Sequence, residues 1–134
     1  MGLDNIRENI LRSAESKIKN MQIEKSLDFE ARALIKMGNE FCKATNYSLG
    51  FFQYFRALKK MSLLFLKKKL GDIEGMSENE AISLVAEKKF LGFDNNDFKK
   101  MKKLFNNIIN RKEVKTKDVK WIKNIIKGAV KKIL

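Results

Sequence analysis

Residues 48–70 read SLGFFQYFRALKKMSLLFLKKKL. Placed at 100° per residue, Leu49, Phe51, Phe52, Tyr54, Phe55, Ala57, Leu58, Met61, Leu63, Leu64, Phe65 and Leu66 leave almost no polar side. A helix apolar all round must be enclosed by others, so this segment is expected to be the central helix of a bundle. Lys67, Lys68 and Lys69 fill its last turn, where cations complement the helix dipole, and Gly71 is a natural stop.

Working outward, every flanking segment also has helical periodicity. Towards the N-terminus, a helix over about residues 5–21 has Asn5 and Glu8 in capping-box spacing. Its narrow stripe is Ile6, Ile10, Ala14, Ile18 and Met21. This amphipathic segment, residues 1–24, is expected to dock on a bundle formed by residues 25–134. A second helix is expected from after Ser26 to about Ala44, with Leu27, Ala31, Leu34, Ile35, Gly38, Phe41 and Cys42 on one face. Gly38 inside that helix suggests close approach of a neighbour, and Cys42 on the same face reads as a small core residue.

Towards the C-terminus, Ser77 and Glu80 form a capping box, with Met76 as a staple, before a short helix to about Lys89. Its inward residues are Ala81, Ile82, Leu84 and Val85, and Gly92 is its expected end. Residues 94–97 offer several caps for a helix reaching about Asn110. Its core face is Phe98, Met101, Leu104, Phe105, Ile108 and Ile109; its outer face is Lys99, Lys100, Lys102 and Lys103. The last helix begins after Thr116. Val119, Ile122, Ile126, Ala129, Val130 and Ile133 form its core stripe, with Lys117, Lys120, Lys123, Lys127 and Lys131 beside it. Trp121, Ile125 and Gly128 occupy a third sector, read either as a second internal contact or as a partner interface. The fold expected is all-α: one domain, a bundle of five to six helices with antiparallel neighbours joined by short loops.

Composition excludes much chemistry. The 134 residues contain no histidine, no proline and one cysteine. A Ser-His-Asp or Cys-His arrangement and a His- or Cys-rich metal site are therefore ruled out. No Gly-rich phosphate loop occurs. Glu78, Glu80 and Glu87 crowd one helix, but Glu80 caps it and Glu87 neighbours two lysines, so an acid/base pair is not expected. The reading is of a non-enzyme that needs no cofactor. No run of about 18 uncharged apolar residues exists, so no membrane span is expected. The N-terminus lacks the apolar core of a signal peptide, and a lone Cys42 suits a reducing compartment. A cytoplasmic location follows as an expectation.

Charge is the strongest functional signal. The net charge is +13, and residues 98–134 hold 13 Lys and Arg against the two acids Glu113 and Asp118. Such lopsidedness points to an anionic partner, with nucleic acid foremost. Candidate contacts are Lys99 and Lys103, then Arg111, Lys112, Lys115 and Lys117, then Lys120, Lys123, Lys127 and Lys131. Lysine outnumbers arginine, which favours phosphate contact over bidentate base reading. Trp121 is the one aromatic among these residues expected to be free for stacking.

Two resemblances stand beside this reading. ALIKMGNEFCKATNYSLGFFQYFRALKK, residues 33–60, resembles a single tetratricopeptide repeat. Leu34, Gly38, Phe41, Tyr47, Gly50, Tyr54 and Ala57 fall on its usual small and large positions. No second copy follows, and one repeat cannot bury its own face. Over residues 25–134 the helix order resembles the HEPN family of helical bundles, whose Arg-bearing turn corresponds here to NNIINRKEVKTKD. That turn often carries an Arg-polar-x3-His motif that cleaves RNA. This chain has Asn110, Arg111 and Lys112 there, but no histidine follows. The resemblance implies a non-catalytic member: dimerising, contacting RNA, or pairing with a nucleotidyltransferase. The alternative is a protein-interaction or assembly subunit, with a protein partner or a second copy of itself, using the residue 33–60 hairpin or the Trp121 sector, with charge serving solubility alone.

Overall fold

The computed structural model describes residues 2–71 and 73–134. Among these, five helices make up the fold: α1 (Gly2–Lys43), α2 (Tyr47–Leu70), α3 (Glu78–Lys88), α4 (Asn95–Ile109) and α5 (Thr116–Ile133). The all-α expectation holds, and α2 is the hub: α1, α3, α4 and α5 all pack on it. Phe51, Tyr54, Phe55, Leu58, Met61, Leu64 and Leu66 are fully enclosed. At about 1.5–3 kcal/mol per large apolar side chain, these seven contribute a large share of the driving force for folding.

α1 and α2 form a hairpin. Glu30 pairs with Lys60, Asn39 meets Tyr54, and Cys42 lies against Gly50, so positions descend along α1 as they ascend along α2. The hairpin is tight because its small residues admit large neighbours. A Cβ on Gly38 would lie 2.5 Å from Tyr54 Cε1, and one on Gly50 would lie 2.6 Å from Cys42 Sγ. Lys60 bridges Glu30 of α1 at 2.9 Å and Glu78 of α3 at 2.5 Å. Burial opposes its charge, but hydrogen bonds to the two carboxylates outweigh burial and raise its pKa.

α5 runs beside α2 in the same direction, with α3 and α4 forming the crossover. Val114 N donates to Ser48 Oγ at 3.2 Å at one end, and Lys68 Nζ donates to the Ile133 carbonyl at 3.4 Å at the other. Arg32 Nη2 reaches the Leu134 carbonyl at 3.3 Å. Two cations therefore sit on the orphan carbonyls of the α5 terminus, where the dipole favours them.

The first two expected helices are one. Residues 22–26, QIEKS, contain neither glycine nor proline, so nothing stops the helix. Ser26, the expected cap, donates its hydroxyl to Glu30 Oε1 at 3.4 Å instead. Asn5 and Glu8 likewise lie inside α1 rather than capping it. The N-terminal segment does not dock: every residue from Gly2 to Lys19 is exposed, and Leu27 is the first buried one.

Caps explain most other boundaries. Asn46 accepts from Leu49 N, and Ser77 accepts from Glu80 N. Asp94 and Asp97 close a reciprocal box at 2.9 and 3.0 Å. The hydrogen bond from the Asp97 backbone holds the Asp94 carboxyl below its ordinary pKa. At C-termini, α1, α3 and α4 end alike. The Asn46, Phe90 and Lys112 amides reach back five residues, the Thr45, Lys89 and Arg111 amides reach back three, and these last three residues adopt positive φ. These are Schellman turns with a side-chain-bearing residue where glycine is preferred. Lys89, not Gly92, takes that position at the end of α3, because the chain must turn at once to bury Leu91 and Phe93. Thr45 is the most strained of the three, being β-branched at φ 60°. Relief of about 1–2 kcal/mol against a glycine entropy cost of about 0.4–1 kcal/mol predicts that Thr45→Gly gains roughly 0.5–1 kcal/mol. The urea midpoint should rise at unchanged m-value, and a fall would show that the turn carries no such strain.

On α4, Met101 and Leu104 are buried, Phe98, Phe105 and Ile108 are half-buried, and Ile109 is exposed, outside the core face expected for it. On α5, Val119, Ile122, Ile126 and Ala129 are buried, with Val130 and Ile133 at the margin.

Candidate nucleic-acid interface

The basic surface is built on α5 and the turn that leads into it. Core packing of Val119, Ile122, Ile126 and Ala129 fixes the rotation of α5, which turns Lys117, Lys120, Lys127 and Lys131 outwards and leaves Lys123 half-buried. Arg111, Lys112 and Lys115 continue this surface through the turn before α5, and all three are exposed. The row on α5 alone, from Lys117 to Lys131, extends about 21 Å at 1.5 Å per residue. Lys99 and Lys103 are exposed on α4, opposite its buried stripe.

Charge on this surface is barely neutralised. Among the described residues, its one ion pair joins Lys100 Nζ to Asp118 Oδ1 at 3.3 Å. The same ammonium lies 4.2 Å from the centre of the Trp121 ring, so Trp121 is covered from α4. Ile125 is half-buried against the core. Gly128 is exposed, and a Cβ there would meet nothing within 4 Å. The Trp121 sector is thus an internal contact at one end and open at the other.

Beside the lysine row lies a groove of about 360 Å³ between α1, α2 and α5. Lys123, Lys127 and Lys131 line one side; Ile35, Ile126 and Val130 supply apolar surface, and Asn39 and Tyr54 meet within it. The Tyr54 hydroxyl donates to Asn39 Oδ1 at 2.5 Å. Burial, and then the Cys42 thiol beside it, push the Tyr54 hydroxyl well above its ordinary pKa, so it remains a donor. Ile35, Asn39 and Tyr54 were not among the residues expected here. Their one signal was a tyrosine in a run of phenylalanines, since a buried hydroxyl needs a partner.

A second recess, of about 440 Å³, opens between α2, α3 and α4, walled by Phe55, Phe98 and Phe105 with Lys59 and Lys102 above. Phe98 and Phe105 were expected wholly in the core, yet part of each ring faces this recess. Lys59 Nζ lies 4.7 Å from the Phe55 centroid and 5.5 Å from that of Phe105. Burial lowers its pKa; Glu78 opposes the shift and Arg56 adds to it. Lys102 sits 4.5 Å above Phe98.

Among the described residues, no cluster of three or more His, Cys, Asp or Glu stands ready to hold a metal ion, and no helix is long and apolar enough to cross a membrane. Comparison with family models, with curated proteins and with solved structures finds no match.

Proposed function

We propose that the protein is a non-catalytic RNA-binding domain that holds the phosphate backbone on α5 and the preceding turn. The observation that carries this reading is the row Lys117, Lys120, Lys123, Lys127 and Lys131, exposed or half-exposed and, among the described residues, without a carboxylate partner. Lysines held at one rotation by a buried stripe form a fixed line of point charges. Such a line attracts a polyanion through counterion release and reads no sequence. The choice of RNA follows the HEPN resemblance, in which the Arg111 turn contacts RNA and the missing histidine removes cleavage. An assembly subunit is the second reading; the apolar floor of the groove beside Lys123 and Lys127 favours it, since phosphate contact needs no such floor.

The test is binding of the full chain to a generic structured RNA and to a DNA duplex across a salt series. Six or more phosphate contacts give a log–log slope of about −5 on a duplex and lose roughly 10³-fold in affinity between 50 and 200 mM salt. Tighter RNA than DNA binding supports the RNA assignment. Equal affinities reduce it to general polyanion binding, and no binding at low salt removes it in favour of a protein partner.

A further inference from the structure

The recess between α2, α3 and α4 brings flat rings and cations together. Phe98 and Phe105 are half-buried, and part of each ring faces the space. Phe105 is held by two neighbours: Phe52 stacks on it at 5.5 Å, and Phe55 tilts against it at 5.6 Å. A ring already fixed in this way costs no ordering when a flat ligand arrives. Asn79 and Asn106, both exposed, line the same space with carboxamides that donate and accept. At about 440 Å³ the recess falls within the range of small-molecule sites, about 300–1,000 Å³.

The cations set this recess apart from the ring of Trp121. That ring is covered by Lys100, whose ammonium is tied to Asp118 at 3.3 Å. Lys102 is exposed, lies 4.5 Å from the centre of Phe98 and, among the described residues, makes no ion pair. Lys59, 5.5 Å from the centre of Phe105, makes none either; the carboxylate that acts on it, Glu78, is engaged by Lys60 at 2.5 Å. Burial lowers the pKa of Lys59 by more than Glu78 restores, so this charge is short of an anion. An ammonium on a flexible four-carbon stem is a movable cover. It leaves the ring for an anion, and a planar group takes its place on the ring face.

A nucleotide supplies both parts: a flat base for the ring and, one sugar away, a phosphate for the displaced ammonium. An acidic peptide supplies charge without a flat group beside each anion. Phe105 also lies about 8 Å along α4 from Asn110, where the turn bearing Arg111 and Lys112 begins. We propose that the recess takes one unpaired base of a single-stranded RNA segment, stacked on Phe98 beside Phe105, with Lys59 and Lys102 moving to the adjoining phosphate. This inference rests on the RNA reading above and deepens it: the α5 row holds the backbone, and the recess adds a preference for strands with free bases.

The experiment compares binding of the full chain to two probes of equal charge. One is a single-stranded oligoadenylate of about 12 nucleotides, and the other is the same ribose-phosphate chain with every base removed. The wild type should bind the base-bearing strand roughly 5- to 150-fold more tightly, the effect of one stacked base. The two salt slopes should be equal, because the slope counts phosphates and not bases. A Phe98→Leu, Phe105→Leu double variant keeps the apolar bulk but removes the flat faces. A Ser83→Leu, Asn106→Leu double variant fills the recess from exposed rim positions, and so serves even where the first fails to fold. Each should bring the preference close to one and leave affinity for the base-free strand unchanged. Equal affinity of the wild type for the two strands, or a preference that survives in either folded variant, overturns the recess as a base site and leaves phosphate binding on α5 standing. Absence of binding to either strand at low salt overturns the RNA reading, and this inference with it.

Discussion

Gly38→Ala should destabilise the protein by about 2 kcal/mol, although alanine is the better helix former by about 1 kcal/mol. The new Cβ would stand 2.5 Å from Tyr54 Cε1 and 2.7 Å from Cδ1. That ring is fully enclosed, and its hydroxyl is tied to Asn39, so it cannot swing away. The hairpin must open instead, which loosens α1 from α2 along the core. Overpacking of this kind costs about 1–3 kcal/mol and here must first cancel the propensity gain. A melting temperature lower by roughly 5–10 °C is expected for a domain of this size. Two companions fix the interpretation. Gly128→Ala, also in a helix but facing open space, should stabilise by roughly 0.5–1 kcal/mol. In a Tyr54→Leu background the cost of Gly38→Ala should shrink by more than 1 kcal/mol, the coupling expected of residues in contact. Equal costs with and without the tyrosine ring would place the strain elsewhere.

The largest effect on binding is expected from Lys120, Lys123 and Lys127 changed together to glutamine, which keeps helix propensity while removing charge. Each lysine that meets a phosphate contributes about 0.9 to the salt slope on a duplex and about 0.7 on a single strand. The triple variant should therefore flatten the slope by about two to three units and weaken RNA binding more than tenfold at low salt. Lys17, Lys19 and Lys25 changed to glutamine lower the net charge equally but lie on α1, away from the α5 face. That variant should keep nearly the wild-type slope, because counterion release counts contacts and not total charge. If both triple variants flatten the slope alike, the α5 face is not the binding surface. Neither variant touches the enclosed core, so circular dichroism should show both folded.

Several of these features were legible in the residues. An apolar run such as residues 48–70 has one stable setting, the centre of a bundle, and α2 occupies it. Ser77 announced the start of α3, and residues 94–97 offered the caps from which α4 takes Asp94, because a cap acts through hydrogen bonds spanning three residues. The buried stripe of α5 and the lysines beside it followed from the helical repeat alone. Other features were not legible. Ser26 has the chemistry of a cap, yet mid-helix its hydroxyl turns to Glu30, and local sequence does not decide between the two. The glycine at position 92 is the natural stop, but burial of Leu91 and Phe93 moved the turn back to Lys89.

By itself, then, the amino-acid sequence determined the helical class, the central place of α2, the capped starts of α3 and α4 and the lysine row, all properties set within a few residues along one helix. The tertiary structure alone decided that α5 runs parallel to α2, that Ile35, Asn39 and Tyr54 meet the lysine row in one groove, and that the N-terminal segment of α1 stays undocked. These depend on which face meets which. That choice is made by packing among residues far apart in the chain, and the periodicity of a single helix carries no record of its neighbours.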